Sequence, residues 1–503
     1  MSAFRSATGS SATPLRRLVQ ADPAIRLFDA DSGFLAFQYR VLEEACDARH
    51  PLLERVKFLA IVASNLEEFI GRFTASGRAL AASRHLAQIA DEYLCGHLVP
   101  LLVQAGIDLP RPMDLAALWS IASLNRPELR DAPLTPRVPA EVQTPDLFAA
   151  IRAGDVLLHH PYDSFDPVVR LLRQAAHDEQ VERIAITVYR TDTESPVLRA
   201  LIEAAARGVA VDAVIEPNAR RDEANNAAWA ETLRQHGARV IPGVPGLKVH
   251  GKLALIVRRE DGGRRRYVHL SSGNYHSGTA RAYTDLALLT CDRALGADVE
   301  SLFEYACGRV NTPRLTRLIA APFSLRATLC TLIEREAAWA RYGAPAHLIL
   351  KMNALTDPDV IRALYEASRQ GVTVDLIVRG PCRLRPGVPG LSDSTKVRSI
   401  VGRFLEHSRA WWFGNGGNEE AYVGSSDVMP RNFGRRVEVV APITSDVLKR
   451  RIRDEVLGVY LADNVQARVL LHDGAYVRYR PLAGMPAIDS QSFLLQRRWG
   501  PQS

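Results

Sequence analysis

The chain has 503 residues, of which 47% are apolar and 24% charged, and a formal net charge of +7. That is enough for two to four folded domains, and no apolar run approaches the length of a membrane-crossing helix. The six cysteines form no C-x-x-C pair and no Cys/His metal spacing, which excludes a zinc module and argues for reduced thiols in a cytoplasmic protein. The positive charge suits a polyanionic ligand but does not choose between nucleic acid, anionic lipid and polyphosphate.

Residues 1–31 begin Ser/Thr/Ala-rich without an apolar core segment, and are expected to be a disordered tail, not a secretory signal. A helical domain over 32–108 follows. Phe58, Leu59, Val62, Leu66 and Phe69 recur at steps of three and four, giving one apolar stripe, and a second helical stretch runs from Leu80 to Ala105. Residues 109–145 are proline-rich and aperiodic, as in a linker. Beyond them the texture changes. Apolar runs at Ile184–Val188, Val209–Ile215, Lys252–Val257 and Tyr267–Leu270 alternate with helical segments, which predicts an α/β fold with a largely parallel, buried sheet.

An internal repeat organises this part. Leu198–Glu216 (LRALIEAAARGVAVDAVIE) and Ile361–Arg379 (IRALYEASRQGVTVDLIVR) match at nine of nineteen positions. Each reads as a helix closed by a glycine, Gly208 or Gly371, and followed at once by a strand. Two related α/β domains, 146–313 and 314–503, are therefore expected, with a ligand cleft between them.

The chemistry-bearing residues gather around these halves. In PGLKVHGK (Pro245–Lys252), His250 and Lys252 sit two apart at the start of a strand and so point to the same side. A neutral imidazole can attack phosphorus while the ammonium holds phosphate oxygens. Ser271-Ser272-Gly273-Asn274 offers a small polar turn for anionic oxygens, with Arg281 and Tyr283 close behind. Arg190 and Arg220 fall just past strand ends, where ligands gather in α/β sheets, and the repeat places Arg379 equivalently in the second half. Guanidinium forks match phosphate geometry and stay charged. In FLEHSR (Phe404–Arg409), His407 supplies the second half's histidine. One histidine from each half suits a nucleophile and a general acid. His159, His160 and His269 lack such a setting and read as structural. No Walker loop, H-E-x-x-H or EF-hand motif occurs, so any magnesium arrives with the nucleotide.

Taken together, HPYDSF (His160–Phe165), ITVYR (Ile186–Arg190), NARRDE (Asn218–Glu223), PGLKVHGK, SSGNY, TARAYTD (Thr279–Asp285), DLIVRGPCRLRPG (Asp375–Gly387), IVGRFLEHSR (Ile400–Arg409) and the SSDVMPRN run resemble polyphosphate kinase of the phospholipase D-like type. The likeness extends to PLLERVKFLAIVASNLEEF (Pro51–Phe69). The resemblance implies an N-terminal helical domain followed by two phospholipase D-like α/β domains, and reversible transfer of the ATP terminal phosphate to polyphosphate through a phosphohistidine. It implies that His250 is phosphorylated, that His407 lies at the nucleotide and protonates the leaving oxygen, and that Asn65, Tyr283 and Arg379 contact the nucleotide. Lys252, Asn274 and Arg281 then fall among the phosphate-binding groups. Arg190 and Arg220 match magnesium-associated positions; arginine cannot ligate a cation, so they read as phosphate clamps. Mg2+ with ATP, ADP and inorganic polyphosphate are the implied partners, with no nucleic acid and no stable membrane insertion; an assembly of like chains stays open. The family's head domain does not fit between Phe73 and Thr144, which makes the proline-rich linker its remnant. Two other readings stand beside this one. The first, a phospholipase D-type phosphodiesterase, is weakened because Leu253–Val257 carries no acid after the H-x-K. The second is a non-catalytic binder of polyphosphate or nucleotide.

Overall fold

Asp29 starts the first helix: its carboxylate accepts from Ser32 N (2.8 Å) and caps Ala30–Cys46. The computed structural model describes residues 27–71, 77–109, 117–217, 219 and 222–496. Most of the expected tail, 1–26, therefore lies outside the described residues. Leu27 and Phe28, also expected in the tail, are not loose. Leu27 bridges Leu384, Phe28 N donates to Arg383 O, and the Phe28 ring is buried in the second half's core. The aromatic ring outweighs the polar composition upstream of it.

Helices Leu52–Ile70 and Gly77–Tyr93 complete the N-terminal unit with Ala30–Cys46, and the stripe from Phe58 to Phe69 is buried as the periodicity requires. The stretch read as a plain linker holds a short helix, Leu118–Ala122, whose Leu118 and Ile121 are buried and whose Trp119 Nε1 donates to Ser64 Oγ (2.9 Å). Five residues are too few to show a period in the sequence.

Two sheets follow, but neither is largely parallel. The first runs in spatial order Val156–His160, Tyr283–Thr290, Gly263–Ser271, Lys252–Glu260, Val181–Val188, Ala210–Ile215, Arg239–Ile241, and only the last three are mutually parallel. The second runs Tyr476–Arg478, Ala467–Leu470, Thr395–Ile400, Thr373–Val378, His347–Met352, Arg409–Phe413, Glu420–Gly424, Arg436–Ile443, and is likewise mixed. Burial on both faces gives a continuous apolar run whatever the strand direction, so the sequence pattern could not separate the two cases. The Asp261-Gly262 turn makes one of the antiparallel pairs a hairpin, Glu260 opposite Gly263. Within each sheet the repeat is seen as expected: helices Pro196–Ala206 and Pro358–Arg369 end at Gly208 (φ +88°) and Gly371 (φ +94°), each followed by a parallel strand.

The halves are joined by exchanged strands. Lys248–Val249 of the first half pairs parallel with Arg436–Ile443 of the second, and Leu405–Glu406 of the second pairs parallel with Tyr283–Thr290 of the first. Each exchanged segment ends on a site histidine. A single apolar cluster backs the junction, with Val249, Leu253, Leu270 and Leu286 packed against Ala410, Trp412, Val423 and Val439. At the crossing a Cβ on Gly251 would sit 3.2 Å from Val439 Cγ2, so the two halves approach closely here and any side chain would press on Val439.

Candidate active site

His250 is held by the opposite half. Its N–H and that of Gly251 both donate to Val437 O (3.0 and 2.9 Å), and its Nδ1 lies 2.9 Å from Glu438 Oε2. Glu438 is fully buried and also accepts from Ser425 Oγ and Asn432 Nδ2, with Arg436 Nη1 at 3.6 Å. Burial pushes its carboxyl above the usual glutamate range against the pull of Lys252 and Arg436. Its neighbours are all donors, which is the company of an ionised carboxylate. Burial, together with Lys252, Arg436 and Arg409, holds His250 well below the usual histidine value. The imidazole is therefore neutral, with its proton on Nδ1 facing Glu438. That leaves the Nε2 lone pair without a hydrogen bond among the described residues, as a nucleophile requires.

Lys252 lies on the same side as His250, as the spacing predicts: the Tyr189 ring packs T-shaped on His250 (centroids 5.1 Å) and Lys252 Nζ stands 5.1 Å from that ring. The Lys252 ammonium donates to His250 O, and burial pushes its pKa down to about 7.

His407 mirrors this arrangement. Its N–H donates to Thr284 O and Oγ1 (3.2 Å each), and its Nδ1 lies 2.7 Å from Asp285 Oδ1. Asp285 accepts from Ser272 Oγ (2.6 Å); burial would raise its carboxyl, but His407, Ser272 and Arg409 hold it below the ordinary range. Gly273 is needed here, since a Cβ would fall 2.5 Å from Asp285 Oδ2. Arg409 grips Asp427 through Nε and Nη2 (3.2 and 3.1 Å), and its Nη1 reaches His407 O (2.7 Å) and His407 Nε2 (3.1 Å). Burial, then Arg409, lower His407 to about 4.

The other expected residues divide. Tyr283 stacks obliquely on His407, with ring centroids 5.3 Å apart. Arg379 is half-buried beside them, with Nε and Nη1 buried and unpartnered, a cation waiting for an anion. Burial lowers its pKa to about 10, so it stays charged at neutral pH. The ring of Phe37 lies 5.6 Å from the Arg379 guanidinium carbon, and Asn65 Nδ2 donates to the neighbouring Gln38 (2.9 Å), so one face of the N-terminal unit reaches this corner. Arg190 follows its strand and pairs with Asp222 (2.7 Å). Arg220 lies outside the described residues. Asn274 keeps a buried, unpartnered Oδ1. Arg281 is exposed on the turn Thr279–Arg281 and shares no hydrogen bond with the histidine group among the described residues. His160 and His269 are buried in the first half, with Nδ1 against Asp163 O and Tyr275 Oη respectively.

Sequence reasoning missed the two carboxylates. Each histidine takes its acid from the other half, far from its own motif in the chain. A signal was present. Asp285 follows Ser272, and Glu438 follows Ser425, by the same thirteen residues, and each serine hydroxyl donates to its acid. The counterpart of His250-Gly251-Lys252 was likewise visible as His407-Ser408-Arg409.

Comparison with known proteins gives a consistent family. The polyphosphate kinase N-terminal domain model matches residues 27–95, C-terminal domain 1 residues 146–312, and C-terminal domain 2 residues 318–491. A curated polyphosphate kinase of Pseudomonas aeruginosa is 50% identical over 392 residues, covering 78% of this chain and 57% of that protein. One from Neisseria meningitidis is 48% identical over 385 residues, covering 76% and 56%. The chain thus spans little more than half the length of these curated relatives. Among solved structures, the polyphosphate kinase from Porphyromonas gingivalis superposes with a TM-score of 0.84 at 27% identity, covering 94% of this chain and 98% of that one.

Proposed function

The chain belongs to the polyphosphate kinase family, and on that footing we propose that it moves the terminal phosphate of ATP reversibly to inorganic polyphosphate through a phosphorylated His250. In the synthetic direction Nε2 of His250 attacks the γ-phosphorus, a P–N bond forms, and the bond from phosphorus to the bridging oxygen breaks. ADP leaves with a proton delivered by His407. The terminal oxygen of a polyphosphate chain then takes the phosphoryl group from nitrogen and regenerates the imidazole. As Nε2 gains phosphorus the ring becomes cationic, and Glu438 across its Nδ1–H stabilises that charge. The observation that carries the reading is the open Nε2 of a neutral, carboxylate-anchored His250 amid Lys252, Arg436 and Arg409. Turnover of ATP to polyphosphate, and of polyphosphate plus ADP to ATP, by the purified chain tests it; activity in neither direction overturns it.

Magnesium enters this scheme as part of the nucleotide. The groups around the histidines are cations or already engaged carboxylates, and the one compact His/carboxylate cluster among the described residues, Glu44, Asp47 and His50, is tied to Arg468 and Arg478 instead. Phosphate oxygens and water are the natural ligands for such an ion.

Two expectations follow for the anion-binding groups. Arg379→Ala should raise the nucleotide KM by about ten- to a hundred-fold, the worth of one or two charge-assisted hydrogen bonds. It should do so without lowering Tm, because it removes an unpartnered buried charge. A KM at parental level would contradict the placement. Lys252, depressed to about 7 chiefly by burial, is charged below that pH and discharges above it. Polyphosphate affinity should therefore fall as pH rises through 7 to 8.5, by up to about tenfold per pH unit, with proton uptake on binding. Lys252→Met should bind weakly with a flat profile, and a flat profile in the parent protein would contradict the role.

A further inference from the structure

The two histidines are alike in backbone setting and carboxylate partner but differ at Nε2. Lys252, two residues after His250, donates to the His250 carbonyl and leaves the ring nitrogen open. Arg409, two residues after His407, reaches both the carbonyl and the ring nitrogen of His407. A guanidinium can only donate, so His407 Nε2 must accept, with its single proton on Nδ1 facing Asp285. In that state His407 has no proton at Nε2 to give a leaving group.

We propose that Arg409 is a positioning residue that locks the Nε2 lone pair of His407, and that the phosphate chain of an arriving nucleotide takes over its Nη1–H and frees Nε2 to take a proton from solvent. This rests on the reading above, in which His407 is the acid. The geometry gives the lock one movable end. Arg409 Nε and Nη2 are anchored on Asp427, which Asn353 braces through its backbone N (2.8 Å) and Nδ2 (3.0 Å), so Nη1, which also donates to His407 O (2.7 Å) and lies 3.5 Å from Ser272 O, is the nitrogen left to exchange its ring contact. The unpartnered Nε and Nη1 of Arg379 give the anion a reason to enter this corner. An N–H···O–P bond to a charged oxygen is stronger than one to a neutral ring nitrogen. The groups facing His407 are Asp285 and Tyr283 from one strand, Arg379 from the turn after another, and Arg409 from its own. Adding phosphate charge offsets the two guanidiniums, while Asp285 keeps favouring the imidazolium. The acid is then charged only once there is a nucleotide to protonate, and a chain left without a bound nucleotide holds no proton there to spend on water.

The test is histidine titration by NMR on the full chain carrying 13C-labelled histidine, with the His407 signal assigned by its loss in His407→Gln. In the free protein His407 should titrate near 4, and with magnesium and ADP it should move to or above the ordinary value of ~6.5. In Arg409→Gln the free protein should already titrate above the parental value, still short of the ordinary one because burial remains, with ADP adding less than it adds to the parent. An unchanged His407 titration on adding ADP overturns the lock and needs no variant. A free Arg409→Gln that still titrates near 4 also overturns it, and Arg409→Lys, which keeps the charge, should fall between. If His407→Gln transfers phosphate at the parental rate, the acid role itself fails, whatever the titration shows.

Discussion

His250→Ala should abolish phosphate transfer in both directions, by on the order of 10⁵-fold or more, as expected when a covalent nucleophile is removed. The protein should still fold. Alanine removes a ring packed on Tyr189 and one donor to Glu438, while Ser425 and Asn432 continue to satisfy that carboxylate, and the backbone bonds to Val437 O do not depend on the side chain. A Tm within a few degrees of the parent, together with nucleotide binding near parental strength, would separate lost chemistry from lost structure. Substantial residual turnover would mean that phosphate passes directly from ATP to polyphosphate, with His250 only a contact.

Glu438→Gln should be the next most damaging change, lowering the rate of His250 phosphorylation by about 10²–10⁴-fold with little effect on nucleotide KM. Size and shape are kept, so the effect isolates the charge. Glutamine can still accept from Nδ1–H, but it does not stabilise the cationic phosphoimidazole, and its amide can turn a donor toward Nδ1 and shift the ring proton to Nε2, closing the lone pair. Lys252 and Arg436 also lose the anion that balances them, so the change should shift the pH at which polyphosphate binding weakens to lower values. Single-turnover labelling across pH measures both effects. A rate like the parent's would show that Glu438 is packing and not electrostatics.

The sequence carried more of the site than of the sheets. The nineteen-residue repeat announced two halves, and the H-x-K spacing put His250 and Lys252 on one side, because period-two alternation holds wherever a strand lies. Strand direction was not legible, since Leu253–Val257 is apolar for being buried on both faces, and burial says nothing about its neighbour's polarity. The exchanged strands were invisible for a related reason: Lys248–Val249 and Leu405–Glu406 are two residues each, below any periodicity. The roles of Glu438 and Asp285 are not legible in the sequence, because the partner of each histidine lies more than a hundred residues away across the junction. The place of Arg379 after a strand is legible in the repeat, whereas its two unpartnered nitrogens depend on the fold around it.

The reaction through His250 is tested most directly by incubating the full chain briefly with ATP labelled at the γ-phosphate, quenching in alkali, and locating the label on the protein. About one base-stable, acid-labile phosphate per chain is expected on the peptide that contains His250. That label should be lost when ADP or polyphosphate is added before the quench, and should be absent from His250→Ala. Polyphosphate made by a chain that never carries labelled phosphate at His250, on any timescale of turnover, would contradict it.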